Sequence, residues 1–178
     1  MQNKFVFTGG PCGGKTTTLE ELKRVGYCFV SETAREIIQE RLSKGLSPRP
    51  KLEEFANECL KLDIQKYDKY AKSSTTLFFD RSILDSLYML NNEAKINASE
   101  LKSHIEQYEY NPIVFVFSPW QEIYVTDSER DQTFEESQKV SSDLIKWYST
   151  HGYKTIEVPK TSVKNRVEFI LKTIKNAV

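Results

Sequence analysis

The 178-residue sequence has few cysteines and no long apolar run. Its three cysteines, Cys12, Cys28 and Cys59, include no C-x-x-C pair. Scattered thiols of this kind are typical of a reducing compartment and not of a disulfide framework, so we expect a cytoplasmic protein. The N-terminal apolar run before Gly9 is too short for a secretory signal, and no stretch approaches the roughly 18 apolar residues that a membrane span needs.

An excess of charge of either sign is also missing, because 25 Lys and Arg residues balance 25 Asp and Glu residues. A general nucleic-acid or anionic-membrane binder would carry a basic excess, so no nucleic-acid partner is expected. The two histidines, His104 and His151, have no metal-ligand spacing. The length fits one domain, 1–178, and the sequence indicates no oligomeric state.

The clearest motif is GGPCGGKT, which follows the apolar run Lys4 to Thr8 and precedes a helical stretch from Lys15 to Val25. It matches G-x-x-x-x-G-K-[ST], a loop whose backbone amides surround phosphate oxygens. The alternative, a glycine-rich turn that contains a lysine by chance, is disfavoured because both flanking elements are present. The residues predicted to bind a nucleoside triphosphate, ATP or GTP, are Gly9, Gly10, Pro11, Cys12, Gly13, Gly14, Lys15, Thr16 and Thr17.

Short apolar segments alternate with amphipathic stretches along the whole chain, which predicts an α/β protein with a mostly parallel sheet. Thr33 with Glu36, and Thr133 with Glu136, have capping-box spacing at helix starts. The Asn-rich segment 91–97 is predicted to be a connector. The predicted strands are Lys4–Thr8, Tyr27–Val30, Thr76–Phe79, Ile113–Phe117 and Tyr153–Val158.

Asp80 is the second strong signal, because it ends a buried strand where open α/β sheets bind ligands. With the Thr16 hydroxyl it is predicted to hold Mg²⁺ through water, or alternatively to accept a proton from an attacking hydroxyl. A purely structural alternative is an N-cap for the helix that begins at Ile83. Arg81 follows directly and is predicted to stabilise charge on the transferred phosphoryl group, with Lys15.

Further polar candidates follow other strand ends. The segment 121–135 has the composition of a mobile lid, and its Arg130 is a second candidate catalytic cation or else a surface residue. Glu32 and Arg35 follow the second strand and are predicted to bind the phosphoryl acceptor. They could equally form an ion pair one helical turn apart. Trp120 and Tyr124 are either base-stacking or core residues.

The segments GGPCGGKTT, SETAREII, FFDRSILDSL and TDSERDQTFEE occur in this order over nearly the whole chain. Together they resemble the small AAA-type P-loop ATPase and kinase domain family that includes the ribosylnicotinamide-kinase domain of NadR and GTP-binding relatives. The resemblance implies a nucleoside- or nucleotide-kinase-like P-loop NTPase fold. In that fold, a three-layer sandwich, the five-stranded parallel sheet has the order 2-3-1-4-5. It also implies that Gly14, Lys15 and Thr16 bind triphosphate and metal, with Asp80 as the catalytic or metal-linked carboxylate.

These observations predict a kinase that transfers the γ-phosphoryl group of ATP–Mg²⁺ to a nucleoside-like or other small acceptor. The alternative is an ATP- or GTP-binding switch that acts through a partner. An N-K-x-D guanine-reading motif is absent from the sequence, which weighs against an ordinary GTPase. The extra domains of NadR are also absent from this sequence, so nothing about NAD synthesis transfers.

Overall fold

The structure, a computed structural model, describes residues 3–94, 96–124 and 133–177. Within these residues it contains strands β1 Lys4–Thr8, β2 Cys28–Val30, β3 Leu77–Asp80, β4 Ile113–Val116 and β5 Lys154–Glu157. The α-helices are α1 Lys15–Arg24, α2 Thr33–Ser43, α3 Leu52–Lys69, α4 Ile83–Ala94, α5 Ala98–Gln107, α6 Phe134–Thr150 and α7 Val163–Ala177, and a short 3-10 helix covers Gln121–Ile123.

The five strands form one parallel sheet in the order β2-β3-β1-β4-β5. This confirms the predicted parallel sheet and its order. The strand that precedes the glycine-rich loop lies at the centre, with β3 on one side and β4 on the other. Because all strands are parallel, their carboxyl ends lie at the same edge, where α/β sheets bind ligands.

The chain divides into two compact units. Unit 1 comprises the described residues within Met1–Val30, Thr75–Asp80 and Tyr110–Val178 and therefore contains the whole sheet; unit 2 comprises Ser31–Ser74 and the described residues within Arg81–Glu109. The prediction of one domain, 1–178, stays a prediction.

The core of unit 1 is rich in phenylalanine. Alternate residues of the central strands, among them Phe5, Phe7 and Phe115, point to one face, as the two-residue period of a strand requires. Apolar positions of α1 and α7 cover that face, including Leu22 and Ile170. Phe7 packs edge-on against Phe115, with ring centroids 5.7 Å apart. This packing fixes the central strands and with them the loop that follows β1.

Unit 2 has its own smaller apolar core. Ile37 and Ile38 of α2 pack with Phe55 and Cys59 of α3, all of them at most 3% exposed. Burial raises the pKa of the Cys59 thiol well above its usual range, so this cysteine is an unreactive packing residue.

Two sequence predictions, of a helix cap and of a connector, are wrong in unit 2. Thr33 is not a helix cap, because Glu32 is the N-cap residue of α2 and the Thr33 hydroxyl donates a hydrogen bond to Asp63. The helix α4 continues to Ala94, into the segment predicted as a connector, and Asn97 caps α5 by accepting a hydrogen bond from the Ser99 amide. Asparagines at 91 and 92 therefore lie inside a helix, where the preceding apolar turns outweigh their weak helix propensity.

The capping box predicted at the start of α6 is confirmed. Thr133 Oγ1 accepts from the Glu136 amide at 3.2 Å, and Glu136 Oε2 accepts from the Thr133 amide at 2.7 Å. Two amides at the start of the helix thereby gain partners. Among the described residues, no helix is long and apolar enough to cross a membrane.

We expect Thr133→Ala to lower the free energy of unfolding by about 1 kcal/mol, because it removes the side-chain half of this cap. Urea denaturation measures the effect as a lower midpoint at an unchanged m-value. Ser142→Ala, an exposed position of the same helix, is the control and should stay within about 0.5 kcal/mol of the unmutated protein. Equal midpoints for the two variants would contradict the capping role.

Candidate functional site

The loop between β1 and α1 lies directly against the residue that follows β4. A Cβ atom added at Gly9 or Gly13 would collide with the backbone carbonyl of Phe117. Gly9 also has a φ of 119°, a conformation that other residues avoid. The Phe117 amide donates to the Thr8 carbonyl at 2.8 Å, so the same segment of chain continues the sheet pairing and supports the loop. Glycine is therefore required here for close backbone approach.

The Lys15 side chain holds two carbonyls of the loop by hydrogen bonds. Its side chain is 6% exposed, and its Nζ donates to the Gly10 carbonyl at 3.0 Å and to the Gly9 carbonyl at 3.4 Å. The Lys15 ammonium is thus buried within the loop, next to the two carbonyls that it contacts. This places the predicted phosphate-binding lysine at the centre of the loop.

Two residues from distant parts of unit 1 hold further loop carbonyls. Ser137 of α6, which is fully buried, donates to the Pro11 carbonyl at 3.1 Å. Arg166 of α7, which is 5% exposed, donates from one terminal nitrogen to the Gly14 carbonyl at 3.3 Å and to the Gly13 carbonyl at 3.5 Å. Burial lowers the pKa of this guanidinium from its usual range.

The helix α1 begins with donors and without acidic groups. Gly14 is its N-cap, in the left-handed conformation with a φ of 82°, and has no side chain to occupy the first amides. The first turn, Lys15 to Thr18, contains no carboxylate, although helices usually favour acidic residues there. The positive end of the helix dipole, with no carboxylate in the first turn to oppose it, therefore favours an anionic ligand.

Asp80 lies at the same edge of the sheet as the loop. It is the last residue of β3, is 5% exposed, and pairs in register with Phe7 of β1, two residues before Gly9. The alternative role as the N-cap of α4 is not supported. Ser82 caps that helix instead, since its hydroxyl accepts from the Leu84 amide at 3.1 Å.

A second polar cluster lies in unit 2. The Arg81 guanidinium donates to Glu32 at 3.0 Å and to Asp85 at 3.2 Å, so its orientation is fixed by two carboxylates. Arg81 has a φ of 69°, which is uncommon for a residue other than glycine. Asp85 also accepts from the Ser82 amide at 3.0 Å, which ties the cluster to the start of α4. Backbone strain of this kind is often found at functional sites.

Asp63 of α3 connects three helices of unit 2. Its two oxygens accept hydrogen bonds from Thr33 of α2, at 2.5 Å, and from Ser86 of α4, at 2.6 Å. The pKa of the Asp63 carboxyl is raised to about 6, mainly by burial and in part by the nearby Asp85 charge. The two hydroxyl donors and the Lys66 ammonium oppose that increase. The pKa of this carboxyl therefore lies well above that of an ordinary aspartate.

The structure groups the predicted residues in two places. The loop residues and Asp80 lie at one edge of the sheet in unit 1, and Glu32 and Arg81 form an ion pair in unit 2. Arg130, the predicted lid residue, lies outside the described residues. The site roles of all these residues stay predictions.

The residues of these clusters that were not predicted from the sequence include Ser137, Arg166 and Asp63. The sequence does contain a signal for the two charged residues, Arg166 and Asp63. Arg166 is three positions after Val163 and four before Ile170, on the apolar face of α7, and Asp63 is four positions after Cys59 on the apolar face of α3. A charged residue inside an apolar stripe must find a buried partner, which marks it for attention. A buried serine gives no such signal.

The residues at the sheet edge fit a magnesium ion. Asp80 and Thr16 provide a carboxylate and a hydroxyl, and hard cations prefer oxygen ligands. Among the residues that the structure describes, no group of three or more His, Cys, Asp or Glu could hold a metal. Mg²⁺ usually keeps several waters and binds one or two protein groups together with substrate phosphates, so one carboxylate and one hydroxyl would suffice to hold it.

The sheet order and the loop define a P-loop protein with a nucleoside- or nucleotide-kinase-like fold. A deoxyadenosine kinase from M. mycoides, solved with bound dATP, has the same fold: TM-score 0.66, 16% identity, 97% of this chain and 98% of that chain covered. A thymidylate kinase from Ehrlichia chaffeensis has a TM-score of 0.55 at 16% identity, with 97% of each chain covered. At this identity the likeness shows the fold alone.

A sequence-family model described as an AAA domain matches residues 4–166. The chain therefore belongs to this AAA domain family, and the resemblance to the small AAA-type P-loop domains is confirmed. No curated protein matches the chain in sequence. The relation to the ribosylnicotinamide-kinase domain of NadR stays a prediction.

We expect Asp63→Asn to change how the free energy of unfolding depends on pH. Because the folded pKa of about 6 exceeds the ordinary value near 4, the folded state holds this proton more tightly. The carboxyl therefore favours folding at low pH, and this contribution is lost as the pH rises to about 6. The stability of the unmutated protein relative to Asp63→Asn should fall by up to about 3 kcal/mol between pH 4 and 7.

Denaturation series at several pH values measure this difference. Asp68→Asn, which removes a carboxylate from an exposed position of the same helix, is the matched control. Parallel stability profiles for Asp63→Asn and the unmutated protein would contradict the prediction.

Proposed function

We propose that this chain is a small-molecule kinase that transfers the γ-phosphoryl group of ATP to a nucleoside-like acceptor. The observation that carries the proposal is the loop from Gly9 to Gly14, whose carbonyls are held by side chains beside a helix start without acidic residues. Asp80 at the end of the neighbouring strand adds a carboxylate at the same edge. The names of the two similar structures, a deoxyadenosine kinase and a thymidylate kinase, favour a nucleoside or nucleotide acceptor.

The donor half of the reaction is assigned to unit 1. The backbone amides of Gly14, Lys15 and Thr16 bind the phosphate oxygens, and the Lys15 ammonium turns from the loop carbonyls to the outer phosphates. Pro11 and Cys12 complete the loop, and Thr17 follows in the first turn of α1. Thr16 and Asp80 would hold Mg²⁺, which supplies positive charge to the phosphate oxygens when it is bound.

The acceptor half is assigned to Glu32 and Arg35, with Arg81 as a cation for the transferred group. The acceptor hydroxyl forms a bond to the γ-phosphorus, the bond to the β-phosphate oxygen breaks, ADP leaves, and the hydroxyl proton goes to a carboxylate. Asp80 is proposed either to take this proton or to position the metal. Glu32 and Asp85 hold Arg81, so its fork is oriented before any phosphate arrives.

Further assignments complete the proposal. Arg130 and the surrounding segment 121–135 are proposed as a lid that adds a cation to the closed site. The chain is proposed to act as one domain in the cytoplasm, in line with its scattered thiols. A nucleotide-dependent switch is less favoured, because the two similar structures described above are kinases.

Transfer from γ-labelled ATP and GTP to a panel of nucleosides, nucleotides and vitamins tests the proposal. A labelled acceptor is the expected result. If no acceptor is labelled and the bound nucleotide stays intact, the kinase proposal is wrong. If the nucleotide is slowly hydrolysed and the protein differs between its di- and triphosphate states, the switch is the better description. Lys15→Ala should abolish nucleotide-dependent activity in either case and so does not discriminate.

We expect Asp80→Asn to lower kcat by roughly 100-fold or more while the protein stays folded, because the replacement removes the charge at the sheet edge. The dependence of the rate on metal concentration and pH separates its two roles. A metal role raises the Mg²⁺ concentration needed for half-maximal activity. A proton-accepting role removes the acidic limb of the kcat profile.

The matched control is Asp68→Asn, an exposed carboxylate of unit 2. Unchanged kcat in Asp80→Asn, measured at saturating metal and ATP, would exclude both roles.

A further inference from the structure

Arg166 contacts the phosphate loop from outside the motif. Besides the Gly13 and Gly14 carbonyls, its Nε donates to the Thr161 carbonyl at 2.8 Å, and its guanidinium lies 5.2 Å from the centroid of the Trp120 ring. A Cβ atom at Gly14 would collide with the same guanidinium. The side chain is thus fixed by contacts on several sides, 152 positions away in sequence from the loop residue it touches.

The geometry of the peptide bond gives these contacts a consequence for the loop amides. In a trans peptide the carbonyl of one residue and the amide of the next point in opposite directions. Holding the Gly13 carbonyl toward Arg166 therefore turns the Gly14 amide away from it. In the same way, holding the Gly14 carbonyl toward Arg166 turns the Lys15 amide away from Arg166. These two amides belong to the group that binds phosphate in a loop of this sequence.

Ser137 fixes a carbonyl in the first half of the loop. Its hydroxyl holds the Pro11 carbonyl at 3.1 Å, which turns the Cys12 amide away from α6. Cys12 has a φ of 58°, a conformation that costs free energy for a residue other than glycine. A fixed carbonyl on the preceding residue helps to maintain that conformation.

We propose that Arg166 and Ser137 are positioning residues that preorganise the phosphate loop by fixing the carbonyls opposite its phosphate-binding amides. This inference rests on the proposed function, in which the loop binds a nucleoside triphosphate. Neither residue touches the phosphates. Arg166 supplies the larger effect because its charge strengthens the contacts to the carbonyls and its position also fixes the loop after β5 at Thr161.

The structure favours this role over recognition of the nucleobase. Nε and one terminal nitrogen of the guanidinium donate to backbone carbonyls, and the guanidinium lies over the Trp120 ring. A residue that recognises the base would affect only ligands that carry a base. A residue that orders the loop affects every ligand that carries a chain of phosphates.

Calorimetric binding of ATP and of inorganic tripolyphosphate, each with Mg²⁺, tests the proposal in Arg166→Met, Arg166→Lys and Ser137→Ala. In Arg166→Met both ligands should bind roughly 10- to 100-fold more weakly, by a similar factor, because charge-assisted hydrogen bonds are lost. Arg166→Lys should be intermediate, since it keeps the charge but loses the fork. Ser137→Ala should show a smaller loss, again equal for the two ligands.

The controls are Lys164→Met on α7 and Ser142→Ala on α6, both at exposed positions. Unchanged tripolyphosphate binding in folded Arg166→Met, with or without weaker ATP binding, overturns the proposal, and a loss for ATP alone assigns Arg166 to the base. If Arg166→Met does not fold, the same criterion applies to Arg166→Lys and Ser137→Ala. If the unmutated protein binds neither ligand, the nucleotide site itself is wrong and the inference falls with it.

Discussion

The contact between the glycine-rich loop and the Phe117 carbonyl constrains the rest of the site. Because Gly9 and Gly13 have no Cβ, the loop can lie against the end of β4. This contact determines the position of the loop amides and of the first residue of α1. The parallel sheet supplies the frame: β3 places Asp80 at the same edge, and the phenylalanine core beneath holds β1 between its neighbours. The chemistry of the loop thus depends on packing several residues away from it.

Most of the fold follows from local patterns in the sequence. The strands are short apolar segments, and the helices have apolar residues at the helical period, so both kinds of element lie close to their predicted positions. The sheet order follows from the family resemblance and not from periodicity. Local pattern fails where a competing partner is distant: Thr33 has the spacing of a cap, but its hydroxyl binds Asp63, thirty positions away.

The candidate site is likewise only partly predictable from local sequence patterns. The loop motif and Asp80 are visible in the sequence because their chemistry requires fixed residue types at fixed spacing. Arg166 and Ser137 touch the loop from α7 and α6, and no local spacing relates them to it. Asp63 and Arg166 do, however, interrupt apolar stripes. A buried charge requires partners, so such an interruption identifies a residue that the fold must satisfy, although it does not identify the partner.

The proposed function requires a protein without net charge to select a polyanion, and the local charges of the candidate site would favour this. Lys15 and Arg166 bury two cations beside the loop, and the start of α1 adds the positive end of its dipole without a neutralising carboxylate. Asp80 at the same edge has the opposite effect on a bare triphosphate. In the proposed site, a divalent cation held by this carboxylate would offset that repulsion, so the proposal favours a metal-bound nucleotide over a free one. On this proposal, the selectivity would come from the local placement of charge and not from the composition of the chain.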